Sequence, residues 1–267
     1  MEKLNLPRLG YGTWQLKRDD CVQGVSHALE VGYRHIDTAQ AYGNEAEVGD
    51  VLAAEIVDRE EIVLATKIFF TNFSPQRMRK TFLKSLKKLQ TDYVDLLYLH
   101  WPAKIFYKPQ KTLPALDKLV DEGLVKHIGL SNFTPTLLDE AAEILTNPIG
   151  AVQVEHHPFL PQEVLREYLD ARNIALVAYS PLARGKVLGH SVLKEIAAAH
   201  NVSEVEISLA WLMHHGAVPI PKATSQKHIE SNYKALDINL TPEQVEKIDN
   251  LDKRKRYLNP PFIRPKW

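Results

Sequence analysis

Cys21 is the only cysteine in 267 residues. No intrachain disulfide can form, which fits a reducing compartment and leaves the fold to its apolar core. An excess of one charge is also missing, since 33 Lys and Arg balance 33 Asp and Glu. A neutral chain lacks the basic footprint of nucleic-acid binding and the pull toward an anionic membrane surface. No stretch approaches the roughly 20 apolar residues of a membrane span. The opening MEKLNLPRLGYGTW has no apolar segment followed by a small-residue cleavage site. These absences lead us to expect a soluble, cytoplasmic protein that takes a small molecule and binds neither nucleic acid nor membrane. No coiled-coil pattern or exposed apolar stretch demands a second copy, so a monomer is expected.

Two further absences concern ligand sites. No GxGxxG follows the first strand-like run and no GxxxxGK[ST] occurs, so an open doubly wound sheet with a glycine-rich phosphate loop is disfavoured. The pairs His156/His157 and His214/His215 lack the i, i+4 spacing of HExxH, and no Cys or carboxylate cluster completes them. Packing or surface roles are expected for them, with no metal.

What is present is a repeat of short apolar runs separated by amphipathic stretches. The runs are LGYGT (9–13), YRHID (33–37), IVLATK (62–67), YVDLLYLH (93–100), VKHIGLS (125–131), AVQVE (151–155), IALVAYS (174–180) and AVPI (217–220). Between them DDCVQGVSHALEVG, SPQRMRKTFLKSLKKLQ and TPTLLDEAAEIL carry apolar residues at helical spacing behind residues that suit helix starts. Strand and helix alternate about every thirty residues, the length of a βαβ unit. Eight units, with a doubled helix before the last strand, predict a single (β/α)8 barrel over 1–267. Residues 252–267, with the run KRKR and several prolines, read as an irregular, solvated arm.

In such a barrel the functional side chains come from the C-terminal ends of the strands and the loops after them. Asp37 closes the second strand, Tyr42 sits in the loop that follows, Lys67 closes the third and His100 the fourth. Each alone is an ordinary residue; together on neighbouring strands they should converge at one rim. The set suits proton transfer to a developing alkoxide. A phenol with a pKa of about 10 is a weak acid at neutral pH, and an adjacent lysine ammonium is expected to lower it. Asp37 would hold Lys67 charged, and a neutral His100 would orient the carbonyl. Tyr42 is then the general acid. Glu45 is expected in the first turn of the next helix, where a carboxylate complements the dipole.

LGYGTW, HIDTAQAYGNEAEVG, LATK, DLLYLHWP, IGLSNF, QVEHHP, AYSPL and IPKAT occur in the order in which aldo-keto reductases carry such motifs. The whole chain resembles that family, most closely its bacterial 2,5-diketo-D-gluconate reductase branch. The resemblance implies NADPH bound at the C-terminal rim without a Rossmann fold, and the tetrad Asp37, Tyr42, Lys67 and His100. It also implies nicotinamide contacts from Ser131, Asn132 and Gln153, stacking by Tyr179, and a pyrophosphate loop of Ser180, Pro181, Leu182 and Arg184. Thr13, Trp14, Asp37, Ile220, Lys222, Ala223, Thr224, His228 and Asn232 complete the implied cofactor contacts. Ala223, His228 and Ser231 depart from the family's usual Ser, Arg and Glu. Histidine cannot reproduce an arginine fork, so NADPH remains expected with NADH as a weaker alternative.

Trp14, Tyr42, Phe69, His100 and Trp101 match the family's substrate positions, with Phe70 beside them. The loops are short, so an open pocket is expected, suited to small aldehydes and ketones of the diketo-gluconate, methylglyoxal or β-keto ester type. Two other readings stand beside this one: a nucleotide-binding barrel with a sensor, subunit or structural role, against which the intact tetrad argues, and a metal-dependent barrel hydrolase, which lacks a ligand cluster.

Overall fold

The computed structural model describes residues 4–251 and 255–267. The start of the expected arm and part of its KRKR run, at 252–254, lie outside the described residues, as do 1–3.

Four helices begin at a proline that presets φ, and Thr134 and Thr241 add a side-chain cap to two of them. Ser74-Pro75, Lys108-Pro109, Thr134-Pro135 and Thr241-Pro242 each put proline in the first turn, where its missing N–H costs no hydrogen bond. In the helix at 75–89, Met78, Phe82, Ser85, Leu86 and Leu89 are buried at three- and four-residue spacing, and the lysines and arginines between them face solvent. The strands are β1 (Tyr11–Gly12), β2 (His35–Asp37), β3 (Val63–Ile68), β4 (Val94–Leu99), β5 (Val125–Ser131), β6 (Ile149–Glu155), β7 (Ala175–Tyr179) and β8 (Ala217–Pro219). Helices α1 (Asp19–Val31), α2 (Glu45–Ala53), α3 (Pro75–Leu89), α4 (Pro109–Asp121), α5 (Pro135–Ile144) and α6 (Glu163–Asp170) follow the first six strands in turn. The doubled helix is α7 (Ser191–His200) and α8 (Glu204–His214); α9 (Gln226–Lys234) and α10 (Pro242–Asp249) follow β8.

The strands pair in parallel in chain order from β1 to β8. Gly10 N donating to Pro219 O at 2.9 Å and Gly12 N to Pro221 O at 3.0 Å close the sheet on itself. A Cβ on Gly12 would stand 2.7 Å from the Ile220 carbonyl oxygen, so this seam needs glycine. The fold is the (β/α)8 barrel that the alternating pattern predicts. β1 and β8 are shorter than their apolar runs, although Thr13 N still donates to Asp37 O at 3.0 Å and Ile220 N to Ala178 O at 3.1 Å beyond the strand ends.

Two apolar layers hold it. Inside the barrel pack Leu6, Ala65, Leu96, Tyr98, Ala151, Ala175, Val177, Val218 and Ile220. The larger layer lies between strands and helices, with Trp211 of the almost wholly buried α8 its bulkiest member. Tyr98 occupies the space that Gly129 leaves on β5, where a Cβ would come within 2.3 Å of its ring. Among the described residues no helix is long and apolar enough to cross a membrane.

Gly129→Ala should therefore lower unfolding stability by about 1–3 kcal/mol through overpacking against Tyr98, measured by urea denaturation; unchanged stability would contradict this packing.

Candidate active site

The loop after β2 is built by its own side chains. Thr38 Oγ1 donates to Asn44 Oδ1 at 2.8 Å, and Asn44 Nδ2 donates to the carbonyls of Thr13 and Leu16 at 2.8 and 3.0 Å. Between them a short 3-10 turn, Gln40–Tyr42, ends at Gly43, whose φ of 71° reverses the chain. Gln40 ties that turn to its neighbours. Its Oε1 accepts from Phe69 N at 3.0 Å and Asn72 Nδ2 at 3.1 Å, and its Nε2 donates to Ser85 Oγ at 3.2 Å. Glu45 does open α2, but it is buried, accepting from Thr66 Oγ1 at 2.8 Å with Lys88 Nζ at 3.7 Å.

Asp37 and Lys67 form a buried ion pair, with Lys67 0% and Asp37 1% exposed. Lys67 Nζ also donates to Thr38 O at 3.0 Å, and Gln153 Nε2 donates to the second Asp37 oxygen at 2.7 Å. The ammonium lies 5.0 Å from the centroid of the Tyr42 ring, and the His100 ring stands edge-on to Tyr42 at 5.9 Å. The four expected side chains thus meet at one rim.

Their electrostatics depart from expectation at Tyr42. The sequence argument has the lysine lowering its pKa; here burial first, then the Asp37 carboxylate, push the phenol well above its ordinary value. Burial is the largest cause, because a phenolate out of water loses its solvation, and the Asp37 carboxylate adds to it by repelling a second negative charge. Lys67 is itself lowered by burial, which Asp37 opposes. His100 behaves as expected: burial, then the Lys67 charge, hold it down at about 3, so its ring is neutral at pH 7.

A cavity of about 590 Å³ opens over this floor. Trp14, Asp37, Tyr42, His100, Trp101, Asn132, Gln153, Tyr179, Ser180, Pro181, Leu182, Arg184, Ile220 and Lys222 line it, all of them singled out from the sequence. Asn132, in the left-handed region at φ 64°, organises one side. Its Nδ2 donates to His100 O and Ser131 Oγ, each at 3.0 Å, and its Oδ1 accepts from Tyr179 Oη at 2.7 Å. Ser180, Ala183 and Arg184 also have positive φ, a concentration of strained backbone in the loop over the cavity. Arg184 reaches across to Trp14, its guanidinium 5.3 Å from the ring centroid.

Other expected residues stand outside the lining. Thr13 is buried and donates to Asp37 O at 3.0 Å, which fixes the end of β2. Ser131 lies behind Asn132. Ala223 is buried with its carbonyl accepting from Tyr11 Oη, while Thr224 and His228 are exposed near the start of α9 and Asn232 is buried within it. Phe69 is not among the lining residues; its ring lies 4.2 Å from that of Phe70, tilted by 39°. Of the histidine pairs, His156 Nδ1 lies 3.0 Å from Leu160 O, and His215 sits between Arg166 and Asp249.

Sequence reasoning missed Gln15, Ala41, Gly185, Pro221, Leu258 and Pro260 in the wall. The last two belong to the expected arm, which stays largely exposed among its described residues but returns to the rim far enough to add these residues to the wall. Nothing local in RYLNPP announces this, because the anchor is Glu155 on β6.

A sequence profile of the aldo/keto reductase family matches residues 8–253. The chain belongs to this family. This aldo/keto reductase is 38% identical over 266 residues to methylglyoxal reductase DkgB of Salmonella typhi, across 99% of this chain and 100% of the relative. It is 37% identical over 254 residues to glyoxal reductase of Bacillus subtilis (strain 168), across 95% and 91%. It superimposes with a TM-score of 0.95 on the crystal structure of a protein provisionally identified as 2,5-diketo-D-gluconic acid reductase B, at 34% identity over 98% of this chain and 94% of that one.

In this aldo/keto reductase, Lys67→Met leaves Asp37 as an unpaired buried charge and should cost about 3–5 kcal/mol of stability. Lys67→Met with Asp37→Asn should recover most of that loss in urea unfolding; a double variant as unstable as the two losses summed would contradict the pairing.

Proposed function

We propose that the protein is an NADPH-dependent reductase of small aldehydes and ketones, with Tyr42 as proton donor. One observation supports this above others: a protonated phenol, a neutral imidazole and a buried lysine–aspartate pair share the floor of a cavity whose wall carries the cations Arg184 and Lys222. The cavity fits a nicotinamide dinucleotide. Tyr179 offers an aromatic face, the Asn132 and Gln153 amides lie beside it, and Arg184 and Lys222 suit phosphates. NADPH bound there supplies the hydride.

The chain's own groups do the rest. Hydride arrival at the carbonyl carbon leaves negative charge on the oxygen, and the Tyr42 hydroxyl delivers its proton there. An alkoxide is basic enough to take a proton from a phenol whose pKa is raised. His100, neutral, donates a hydrogen bond to the same oxygen and orients it. Lys67 limits how far burial and Asp37 raise the phenol, and Asp37 with Thr38 O holds that ammonium in place. Trp14 and Trp101 shield the reacting carbon from water. The names of the relatives, methylglyoxal reductase and glyoxal reductase, support α-dicarbonyl compounds as the first substrates to try.

The test follows NADPH absorbance after methylglyoxal is added to the purified protein. Steady loss is expected, with kcat/KM at least about tenfold lower for NADH, since Lys222 favours a 2'-phosphate. Equal use of NADH would overturn the cofactor preference, and no loss with any small aldehyde would favour a nucleotide-binding barrel without turnover.

The pH dependence has a definite sign. Tyr42 must be protonated to act as the acid, its pKa is raised, and His100 stays neutral down to about 3. Reduction should therefore show no titration between about pH 5 and about pH 9 and fall only in stronger alkali. A midpoint near neutrality would contradict the assignment.

A further inference from the structure

Glu155 closes β6 with its side chain wholly buried, and the chemistry above does not use it. Three donors meet its carboxylate. Tyr257 N lies 2.7 Å from Oε1, Leu258 N lies 2.9 Å from Oε2, and His157 Nε2 lies 3.2 Å from Oε1. An ionised carboxylate only accepts, so the imidazole proton sits on Nε2. Two of the three donors are main-chain amides from the far end of the chain, 102 and 103 residues away in sequence.

The segment they belong to reaches the reaction site, because Leu258 and Pro260 line the cavity that Tyr42, His100 and Trp101 floor. Its neighbours support the same docking: Lys255 N donates to Phe159 O at 3.0 Å, and the His157 and Tyr257 rings lie 5.4 Å apart. A buried carboxylate is costly to keep unless its oxygens are fully satisfied, so the site and the tail need each other. Recognition runs through backbone N–H groups, which any residue but proline supplies. The tail's prolines at 260, 261 and 265 all come after the two donor positions.

We propose that Glu155 is a specificity-determining positioning residue that latches the main chain at Tyr257 and Leu258, so that the tail forms one wall of the substrate pocket. This rests on the carbonyl-reductase reading for its kinetic consequence, though the latch itself is independent of turnover. With the latch closed, the wall fits small dicarbonyl compounds; with it open, the pocket is wider and accepts bulkier ones with less discrimination.

Two variants open the latch from opposite sides. Glu155→Gln turns an amide toward one of the two backbone donors, and Leu258→Pro removes a donor while leaving the carboxylate in place. Hydrogen exchange at Tyr257 N reports the latch without any reaction, and thermal unfolding and NADPH binding report the barrel. In both variants that amide should exchange at least about tenfold faster, while Leu258→Ala, which keeps its N–H, retains protection. The kcat/KM ratio of phenylglyoxal to methylglyoxal should rise at least about fivefold in Glu155→Gln and Leu258→Pro, through KM for methylglyoxal, with kcat within about threefold. If Glu155→Gln does not fold, Leu258→Pro decides alone. Unchanged protection in a folded variant would overturn the latch, and fast exchange with an unchanged ratio would overturn its role in specificity. A wild-type protein without turnover would sink the functional reading and leave the exchange result to judge the latch.

Discussion

The buried pair of Asp37 and Lys67 is the constraint on which the site depends. A lysine with no exposed surface is tolerable only when its charge is met, and here the Asp37 carboxylate and the Thr38 carbonyl do so, while the Gln153 amide donates to the second carboxylate oxygen. That requirement locks the end of β2 to the end of β3 and draws β6 into the same network. Tyr42 and His100 are then held by what surrounds the pair: Asn44 and Gln40 fix the turn that carries the phenol, and Asn132 grips the backbone at His100. The phenol's raised pKa follows from its burial in this arrangement first and from the nearby Asp37 carboxylate second.

Around this floor the barrel separates rigid parts from adjustable ones. Strand ends carry Asp37, Lys67 and His100, where parallel pairing and two apolar layers leave little freedom. Part of the wall comes from segments outside the sheet: the loop at 180–185, with its positive-φ residues, and a tail docked on Glu155. Such a division lets the pocket vary in shape while the chemistry stays fixed.

The barrel and its floor were legible because both rest on patterns that are local or repeat along the chain. Eight apolar runs with helical spacing between them specify the architecture, and Asp37, Lys67 and His100 each mark the end of a run. Tyr42 was found through the loop that must return over Lys67. The sign of its pKa shift was not legible, since it depends first on how deeply the folded chain buries the phenol and then on how near Asp37 stands. Phe69 was expected to face the pocket, but its neighbour Phe70 offers a closer aromatic partner. The docking of the tail on the rim was not legible for a different reason. Its anchor lies about a hundred residues upstream and binds main chain, so RYLNPP carries no side-chain signature of its destination. For the family itself, the order of motifs along the chain carried more information than any one of them.

If Lys67 acts on the reaction through Tyr42, removing both should cost no more than removing the phenol's hydroxyl alone. The decisive measurement is a double-mutant cycle on kcat/KM for NADPH-dependent reduction of methylglyoxal, with Tyr42→Phe, Lys67→Met and the combined variant. The expected result is a large loss in each single variant, with the combined variant as slow as Tyr42→Phe and NADPH affinity nearly unchanged in Tyr42→Phe. Losses that multiply in the combined variant would show that lysine and tyrosine act independently, and would contradict the arrangement described.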